Sequence, residues 1–416
     1  MVKTLFLFKF KSKGRCISEK LWYNKSMATH KGKRIGKIIA VTLIVFFLAL
    51  AIVITGYMMA ARKVYFINKV DNENFQKSNL EYLKNTFYNG YTPKDEQSIC
   101  AFDLQKALDE GVRYNQVAFL ATHNSCQRLN RPESEEYLRA LDYVSFGLAS
   151  GDFFDKKNFE YDTLTGQLEH GIRSIEFDVE AKVSKGDISF KVMHDLVVDS
   201  ATSCLDLEGA LEEVVYWSNH NPNHLPITIL VESKAYVLPV EGFQVFGSRH
   251  VKAFDEVLRK CLGDKLFTPS DMLGDYATFE EMRKANDWKP LKEMLGKVVV
   301  VLHEAGFVKK YIKQDPTMRT QAMIPSVLYK DRNTPQAGFI IENKPQDAVE
   351  RIDFYRTANF MVRTRADKYP HFSEERYALA NQCLSQIITT DYAPRDLRPE
   401  QHTFSFDGFT VKLISF

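Results

Sequence analysis

Short apolar runs rich in β-branched residues recur along the chain from about Gln116 and alternate with stretches of helical periodicity. Runs of about four to eight apolar residues between turn residues are typical of strands buried on both faces, as in a parallel sheet. Eight such runs are present, at 117–122, 174–179, 190–194, 227–232, 298–303, 338–343, 358–363 and 386–391.

The stretches between these runs predict amphipathic helices, for example at 207–220 and 250–262. Eight strands with helical crossovers predict an α/β fold, a (β/α)8 TIM barrel over residues 113–395. A doubly wound open sheet is the alternative.

Polar residues gather where seven of the eight predicted strands end. They are His123 and Asn124, Glu176 and Asp178, His194 and Asp195, Glu232 and Lys234, His303 and Glu304, Arg363 and Arg365, and Asp391. The C-terminal ends of barrel strands form the active-site face, so this regularity favours the barrel and predicts where its site lies.

A different pattern occupies the N-terminus, where residues 38–61 form an apolar run without charge or proline. A helix needs roughly 20 apolar residues to cross a bilayer, so this run predicts one transmembrane helix. A signal peptide would have an apolar region of only about 7–15 residues, and a core helix of this length would show a polar face. Cleavage after the helix is left open.

Charge is divided unevenly around this helix. Residues 1–37 hold eleven Lys and Arg against Glu19 alone, so with a net charge of +2 for the whole chain the remainder carries −8. The positive-inside rule predicts a single-pass protein with a cytoplasmic N-terminus and an extracytoplasmic domain. Residues 62–112 are interpreted as a stalk or short N-terminal helices, and 396–416 as a tail. No nucleic-acid partner is expected.

Five of the six cysteines follow the apolar run, at positions 100, 126, 204, 261 and 383. Their spacing matches no zinc site, and their odd number requires that at least one is free or pairs with another chain. Disulfides are permitted in the predicted compartment, but the sequence does not define a pairing.

Two histidines, His123 in a Thr-His-Asn-Ser motif and His194 in Val-Met-His-Asp, are the candidate catalytic residues. Their ordinary pKa lies near neutrality, so one imidazole can take a proton from an attacking hydroxyl while the other protonates a leaving oxygen. A single such histidine is more often structural; the two together at strand ends favour catalysis.

The acidic residues among the strand ends predict a cation site. Glu176 and Asp178 are two apart and therefore point to one face of their strand, while Glu232 ends a later strand and Asn124 offers an amide oxygen. These oxygen-only ligands favour Ca²⁺ or Mg²⁺ over Zn²⁺. The alternative is a structural ion network of Glu176 and Asp178 with Arg173 and Lys234.

The cations at the strand ends predict substrate binding. Lys234, Arg363 and Arg365 would hold phosphate oxygens, and Arg can do so bidentately. Arg363 and Arg365 share a strand face, so they would point inward together. A solvated rim is the alternative.

These motifs together resemble the calcium-dependent phosphoinositide phospholipase C family of the C1 type. They occur in family order between residues 116 and 392, as THNS, QLEHGIRSIEFDVE, KVMHD, WSNHNPNHLPITILVESK, VRTRAD and TTDY. The acidic pair in IEFDV supports the metal-dependent branch. Cys126, where an aromatic residue is common, and the TTDYAP segment depart from the family pattern.

The resemblance implies the barrel shared by phosphatidylinositol phospholipases and glycerophosphodiester phosphodiesterases. The family's histidines would fall on His123 and His194, and its calcium ligands on Asn124, Glu176, Asp178 and Glu232. The inositol 2-hydroxyl would attack its own phosphodiester, diacylglycerol would leave, and water would open the cyclic inositol phosphate.

Two other functions are compatible with the sequence. A glycerophosphodiester phosphodiesterase would share the barrel, histidines and carboxylates, but usually shows His-Arg-Gly rather than His-Asn-Ser after the first strand. A non-catalytic inositol-phosphate-binding surface protein would be expected to have lost a member of the set His123, His194 and the acidic residues, and all are present.

Overall fold

The structure, a computed structural model, describes residues 3–144, 159–196, 199–234, 241–303, 306–393 and 403–414; of residues 3–32, 61, 141 and 142 only the backbone is described. The chain divides into two units, Met1–Met59 and Ala60–Phe416. Helix α1 spans Lys3–Tyr82. Among the described residues it contains one stretch long and apolar enough to cross a membrane, with a mean hydropathy of 3.1 over 18 residues.

Eight parallel strands form a closed barrel in the second unit. The strands of the chain are β1 (Val117–Thr122), β2 (Ser174–Ser184), β3 (Asp187–Val192), β4 (Ile227–Ser233), β5 (Phe243–Gln244), β6 (Val298–Leu302), β7 (Met323–Leu328), β8 (Phe339–Ile341), β9 (Met361–Arg365), β10 (Ile387–Thr390) and β11 (Val411–Leu413). The barrel order is β1–β2–β4–β6–β7–β8–β9–β10, and β10 pairs back with β1.

Helices surround the barrel and connect its strands. Besides α1 they are α2 (Leu104–Asp109), α3 (Pro132–Val144), α4 (Leu164–Glu169), α5 (Leu207–His220), α6 (Ser248–Leu262), α7 (Pro269–Leu273), α8 (Phe279–Lys284), α9 (Leu291–Met294), α10 (Val308–Gln314), α11 (Pro345–Glu350), α12 (Ile352–Ala358) and α13 (Glu374–Gln382). Short 3-10 turns lie at Glu96–Ile99, Tyr114–Gln116, Gly263–Lys265 and Tyr329–Asp331, and a π turn at Leu83–Phe87.

The closed barrel confirms the predicted fold class and excludes the open sheet, because β1 pairs on both sides with barrel strands. The apolar strand residues are buried, as in Val117–Ala121 and Val298–Leu302. A strand with neighbours on both edges and helices outside has no solvent face, which is why these runs are continuously apolar.

The predicted strand at 190–194 is wrong as a barrel strand. β3 runs antiparallel to β2 as the second arm of a hairpin that leaves the barrel. Lys185 (φ 52°) and Gly186 (φ 98°) form its two-residue turn. Two consecutive positive φ angles give a turn whose twist matches that of the strands, and glycine takes this conformation without strain. β2 accordingly runs on to Ser184, past the predicted end at 179.

The true fifth barrel strand, β7, was not predicted. Its segment, Met323–Leu328, contains Pro325 and Ser326, which interrupt the β-branched pattern. Proline lacks a backbone N–H and ordinarily argues against a central strand. Here β7 pairs with both β6 and β8, and Leu302 stands opposite Pro325.

The end of the chain contributes to the same unit. β11 pairs antiparallel with β1, so Val411–Leu413 lies on the sheet although residues 396–416 were interpreted as a tail. The predicted boundary between residues 395 and 396, and the strand-end residue Glu304, lie outside the described residues.

Candidate active site at the C-terminal ends of the barrel strands

The turn after β1 is held tightly on the neighbouring strand. Asn124 has φ 51°, a left-handed conformation that asparagine tolerates better than most residues. Ser125 Oγ accepts a hydrogen bond from the backbone N–H of Glu176 at 2.8 Å, and the Ser125 N–H donates to the Glu176 carbonyl at 3.0 Å. The Thr-His-Asn-Ser motif is therefore anchored beside β2.

Three carboxylates from two neighbouring strands converge beside this turn. Asp178 on β2 and Glu232 on β4 are direct cross-strand partners, and Glu176 lies two residues earlier on the same face of β2. One oxygen atom from each of the three carboxylates lies within 4.8 Å of the others. Glu176 and Asp178 are buried, and Glu232 is partly buried.

This cluster fits a calcium ion. Ca²⁺–oxygen bonds of about 2.3–2.6 Å allow two ligands of one ion to lie up to about 5 Å apart, which matches the cluster. Within the described part of the chain, neither side-chain amide atom of buried Asn124 has a hydrogen-bond partner. A buried amide oxygen without a partner is costly, and a cation bound by that oxygen would remove its share of the cost.

His123 is oriented by a carboxylate. Its Nδ1 lies 2.9 Å from Oδ1 of Asp391, which directly follows β10, and its Nε2 lies 3.9 Å from Oε1 of Glu176. Asp391 is itself held by Arg365 at 2.8 Å and by the backbone N–H of Tyr369 at 2.8 Å. One ring nitrogen thus faces an ordered carboxylate and the other faces the acidic cluster.

His194 has a similar arrangement, although it follows β3 rather than a barrel strand. Its Nδ1 lies 3.1 Å from Oδ2 of the buried Asp199. The other oxygen of Asp199 accepts a hydrogen bond from Nε2 of Gln127 at 2.7 Å. The hairpin therefore brings a second imidazole to the site with its Nδ1 close to a carboxylate, in place of the barrel strand end that the sequence suggested.

Four of the predicted site residues, Asn124, Glu176, Asp178 and His194, line one cavity. Its lining includes Asn124, Cys126, Gln127, Glu176, Asp178, Val192, Met193, His194, Ala201 and Thr202. His123 reaches the same cluster through Glu176, which it approaches from the side of β10. The cavity thus brings His194 beside Glu176 and Asp178, while His123 and Glu232 lie next to these carboxylates.

The three predicted substrate-binding cations are all paired with acids. Arg363 donates to Glu176 at 2.6 Å and also bonds Asn343, while Arg365 donates to Asp391. Lys234 Nζ lies 3.1 Å from both Asp178 and Glu232. The solvated-rim alternative does not apply, because these side chains are 2% to 17% exposed.

An ion network is present, but its members differ from the alternative considered for Glu176 and Asp178. Glu176 pairs with Arg363 rather than with Arg173, and Arg173 pairs with Glu96. Lys234 pairs with Asp178 as that alternative expects. Arg363 and Lys234 thus neutralise the negative charges of the cluster. They contact the same three carboxylates that would hold a cation.

Burial and charge shift the protonation of the cluster in different directions. Burial opposes ionisation of Glu176, but the combined charges of Arg363, His123, His303 and Arg365, of which Arg363 acts most strongly, lower the pKa of Glu176 to about 2. Burial raises the pKa of Asp178 to about 6 against the pull of Lys234. Burial, and then the charge of Arg365, lowers the pKa of His123 to about 4.

Several site residues escaped the sequence reasoning. Asp199 and Gln127 were not considered, and Asp391 was noted only as a strand end. His303, which was left out, follows β6, and its charge is one of those lowering the pKa of Glu176 and Glu232. Asp199 could have been suspected from the sequence, because it is a carboxylate five residues after His194. Nothing in the sequence points to Gln127.

Comparison with known proteins identifies the class. A closed barrel with two imidazoles beside an oxygen-only acidic cluster has the groups that a metal-assisted phosphodiesterase requires. Residues 182–414, more than half of the chain, match the family described as Ca²⁺-dependent phosphoinositide phospholipase C. The chain belongs to this family, and it is a phosphoric diester hydrolase that uses Ca²⁺.

Solved structures agree on the fold. A calcium-dependent phosphoinositol-specific phospholipase C from Pseudomonas sp. is 17% identical, with a TM-score of 0.52, over 77% of this chain and 100% of the bacterial one. Its myoinositol complex is 16% identical, with a TM-score of 0.53 and the same coverage. No curated relative matches the chain.

Proposed function

We propose that this enzyme is a phospholipase C that cleaves phosphatidylinositol-type lipids, with His123 and His194 as acid and base and Asn124, Glu176, Asp178 and Glu232 as calcium ligands. The observation that carries the proposal is that two imidazoles lie beside one acidic cluster, each with its Nδ1 close to a buried carboxylate: His123 is hydrogen-bonded to Asp391, and the Nδ1 of His194 lies 3.1 Å from Asp199. The matched family and the myoinositol complex of the bacterial neighbour support an inositol lipid as substrate.

The carboxylate partners determine what each imidazole can do. A carboxylate accepts a hydrogen bond from Nδ1–H, which leaves Nε2 of a neutral ring as a proton acceptor and Nε2–H of a protonated ring as a donor. One histidine would take the proton of the inositol 2-hydroxyl as its oxygen attacks phosphorus. The other would give a proton to the diacylglycerol oxygen as its bond to phosphorus breaks.

The product of this step would be a cyclic inositol phosphate and diacylglycerol. Water opening the ring would use the same two histidines with their roles exchanged, because the reverse proton transfers are then needed. A bound calcium ion supplies charge neutralisation at the phosphoryl oxygens and lowers the pKa of a coordinated hydroxyl.

We also propose that Lys234, Arg363 and Arg365 hold phosphate oxygens. Lys234 now neutralises Asp178 and Glu232. A divalent cation bound by the same carboxylates would take over that neutralisation, so the ammonium group would become available to the substrate. Arg365 also holds Asp391, so it would combine substrate binding with support of His123.

The proposed setting is a single-pass membrane protein with its catalytic domain outside the cytosol. The basic residues before the apolar run support a cytoplasmic N-terminus. The disulfide between Cys126 and Cys204 supports an oxidising compartment for the domain. Protease added to intact cells is expected to digest the domain while an N-terminal tag is protected; the reverse pattern would contradict this topology.

The test of the activity uses the full chain in mixed micelles containing phosphatidylinositol. Calcium-dependent release of diacylglycerol is expected, with loss of activity in excess chelator. His123→Ala and His194→Ala are each expected to lower kcat by at least about a hundredfold, the range for loss of a general acid or base. His220→Ala is the control, because His220 stacks on Tyr88 at the end of α5.

Other outcomes would point elsewhere. Faster turnover of glycerophosphocholine than of phosphatidylinositol would identify a glycerophosphodiester phosphodiesterase instead. Saturable binding of inositol phosphates without turnover would indicate a non-catalytic binding protein. Unchanged activity in His123→Ala or in chelator would remove the catalytic or the calcium assignment, respectively.

A further inference from the structure

A row of amide side chains lies on one face of the part of α1 that belongs to the second unit. Asn68, Asn72, Gln76 and Asn79 are spaced by four, four and three residues, so they share a helix face. Asn68, Asn72 and Gln76 are 0%, 1% and 5% exposed. A buried amide is costly unless it is hydrogen-bonded, so this face of the helix must pack against polar groups placed to bond with it.

The partners of these amides are mostly in one segment, residues 199–206. Asn72 Nδ2 donates to the Ser200 carbonyl at 2.8 Å, and its Oδ1 accepts from the Thr202 N–H at 3.0 Å. Gln76 makes the same pair of bonds with Asp206, each at 2.9 Å. Asn68 donates to Ser200 Oγ at 3.0 Å, and its other hydrogen bonds join it to Asn130, Arg131 and Ser134.

Segment 199–206 begins with the carboxylate that orients His194. On its other side the segment is fixed to the turn after β1: Gln127 donates to Asp199, the Ser203 N–H donates to the Cys126 carbonyl at 2.9 Å, and Cys126 is joined to Cys204 by the disulfide. The segment is therefore held between the turn that carries His123 and Asn124 and the amide face of α1.

We propose that Asn72, with Asn68 and Gln76, is a positioning residue of the active site: the amide face of α1 holds segment 199–206 so that Asp199 orients His194. This inference rests on the proposed catalytic role of His194. The three amides precede residues 182–414, the part that matches the family, whereas segment 199–206 lies within it.

Asn72→Ala in the full chain tests the proposal, with Asn79→Ala as the matched control. Asn79 lies on the same face and also donates a 2.9 Å hydrogen bond, but to Glu213 on α5. Asn72→Ala is expected to lower kcat about tenfold or more on phosphatidylinositol with KM changed less than about twofold, because misplacement affects the reaction more than binding. Asn79→Ala is expected to keep the kcat of the parent chain.

A double-mutant cycle separates positioning from general loosening of the fold. In an Asp199→Ala background, Asn72→Ala is expected to change kcat by less than about twofold, because the residue through which it acts is already gone. Equal effects of Asn72→Ala with and without Asp199, or equal losses in the Asn72 and Asn79 variants, would overturn the proposal. Gln76→Ala replaces Asn72→Ala if that variant does not fold.

Amide hydrogen exchange provides a readout that does not need activity. Asn72→Ala is expected to speed exchange of the Thr202 N–H and its neighbours in segment 199–206, whereas Asn79→Ala is expected to leave them protected. Unchanged protection in Asn72→Ala would overturn the proposal even in an active enzyme. If the parent chain releases no diacylglycerol, the proposed function fails, and the exchange measurement still decides whether α1 holds the segment.

Discussion

At the residue scale, the two candidate catalytic histidines depend on carboxylates that carry no reacting atom. Asp391 and Asp199 each face a ring Nδ1, and each is buried and bonded on its other oxygen. A buried carboxylate that is fixed through one oxygen favours one orientation of the other, so the imidazole beside it favours the tautomer with its proton on Nδ1.

Asp199→Asn should therefore damage turnover more than binding. The asparagine amide can donate a hydrogen bond to Nδ1, which stabilises the tautomer of His194 with its proton on Nε2. In that tautomer Nε2 cannot accept a proton, so the imidazole cannot act as a base. We expect kcat to fall about a hundredfold with KM changed by less than about threefold, measured as diacylglycerol release. Asp187→Asn, an exposed change at the start of β3, is the control; equal kcat values for the two variants would contradict the assigned orientation.

Asp255 gives a prediction about stability and pH. It lies on α6 and accepts a hydrogen bond from the Tyr311 hydroxyl at 2.8 Å, and burial raises its pKa to about 6. The native state therefore binds its proton more tightly than the unfolded chain, so this residue's contribution to stability falls as the pH rises from about 4 to about 6.

Replacing Asp255 by Asn should remove this loss of stability, because an amide does not ionise as the pH rises. The amide oxygen can still accept the hydrogen bond from Tyr311. We expect the melting temperature to rise at pH 7.5, from a gain of about 1–3 kcal/mol, and to change little near pH 4. Thermal unfolding followed by circular dichroism at the two pH values measures the difference. The same shift at both pH values would show that the Asp255 charge is not its cause.

At the element scale, a few backbone positions determine how the strands enter the barrel. Gly296 lies in the turn before β6 with φ +71°, and a Cβ atom there would be 2.3 Å from the Pro222 carbonyl oxygen. Gly111, in the turn after α2, has nearly the same φ, +74°, with nothing within 4 Å of an added Cβ. Substituting alanine at these two glycines therefore distinguishes two costs: both variants carry the strain of a positive φ, but only the Gly296 variant also has a steric clash.

Gly296→Ala is accordingly expected to cost more than Gly111→Ala. Left-handed strain alone costs about 1 kcal/mol for alanine, whereas the clash with Pro222 forces the turn apart and adds to it. We expect about 3 kcal/mol or more for Gly296→Ala, measured by chemical unfolding. If Gly296→Ala lowers the free energy of unfolding no more than Gly111→Ala does, the turn before β6 can rearrange to accommodate the added Cβ atom.

At the scale of the whole molecule, a site made from separate strands couples ligand binding to folding. The three carboxylates come from β2 and β4, and Asn124 follows β1, so the proposed ligand set is assembled only in the native state. A ligand that binds the folded chain alone stabilises it by mass action.

Calcium should therefore raise the melting temperature of the full chain. At a concentration of about one hundred times Kd the gain is about 2.7 kcal/mol, or several degrees. Mg²⁺ is expected to give a smaller shift, because it requires tighter octahedral geometry than this cluster provides. Glu176→Gln should abolish most of the shift, whereas Asp187→Asn should keep it; a melting temperature insensitive to calcium would contradict the cation site.

The accuracy of the sequence-based predictions varied with the range of the interactions involved. The run at 117–122 became β1 with the same bounds, and 207–220 became α5, because their apolar pattern is local. The run at 190–194 has the composition of a barrel strand yet is a hairpin arm. Strand β7, which contains Pro325, has a poor strand pattern and is nevertheless paired on both sides.

The sequence by itself determined the barrel class, the apolar N-terminal helix and the residue types of the site, since buried strands, a membrane-length run and an oxygen-only ligand set each leave a local pattern. The tertiary structure alone decided that His194 arrives on a hairpin, that Asp199 and Asp391 orient the imidazoles, and that amides of α1 hold segment 199–206. These contacts join residues from 5 to 268 positions apart. Their spacing in the sequence does not show which buried polar groups will lie next to one another once the chain has folded.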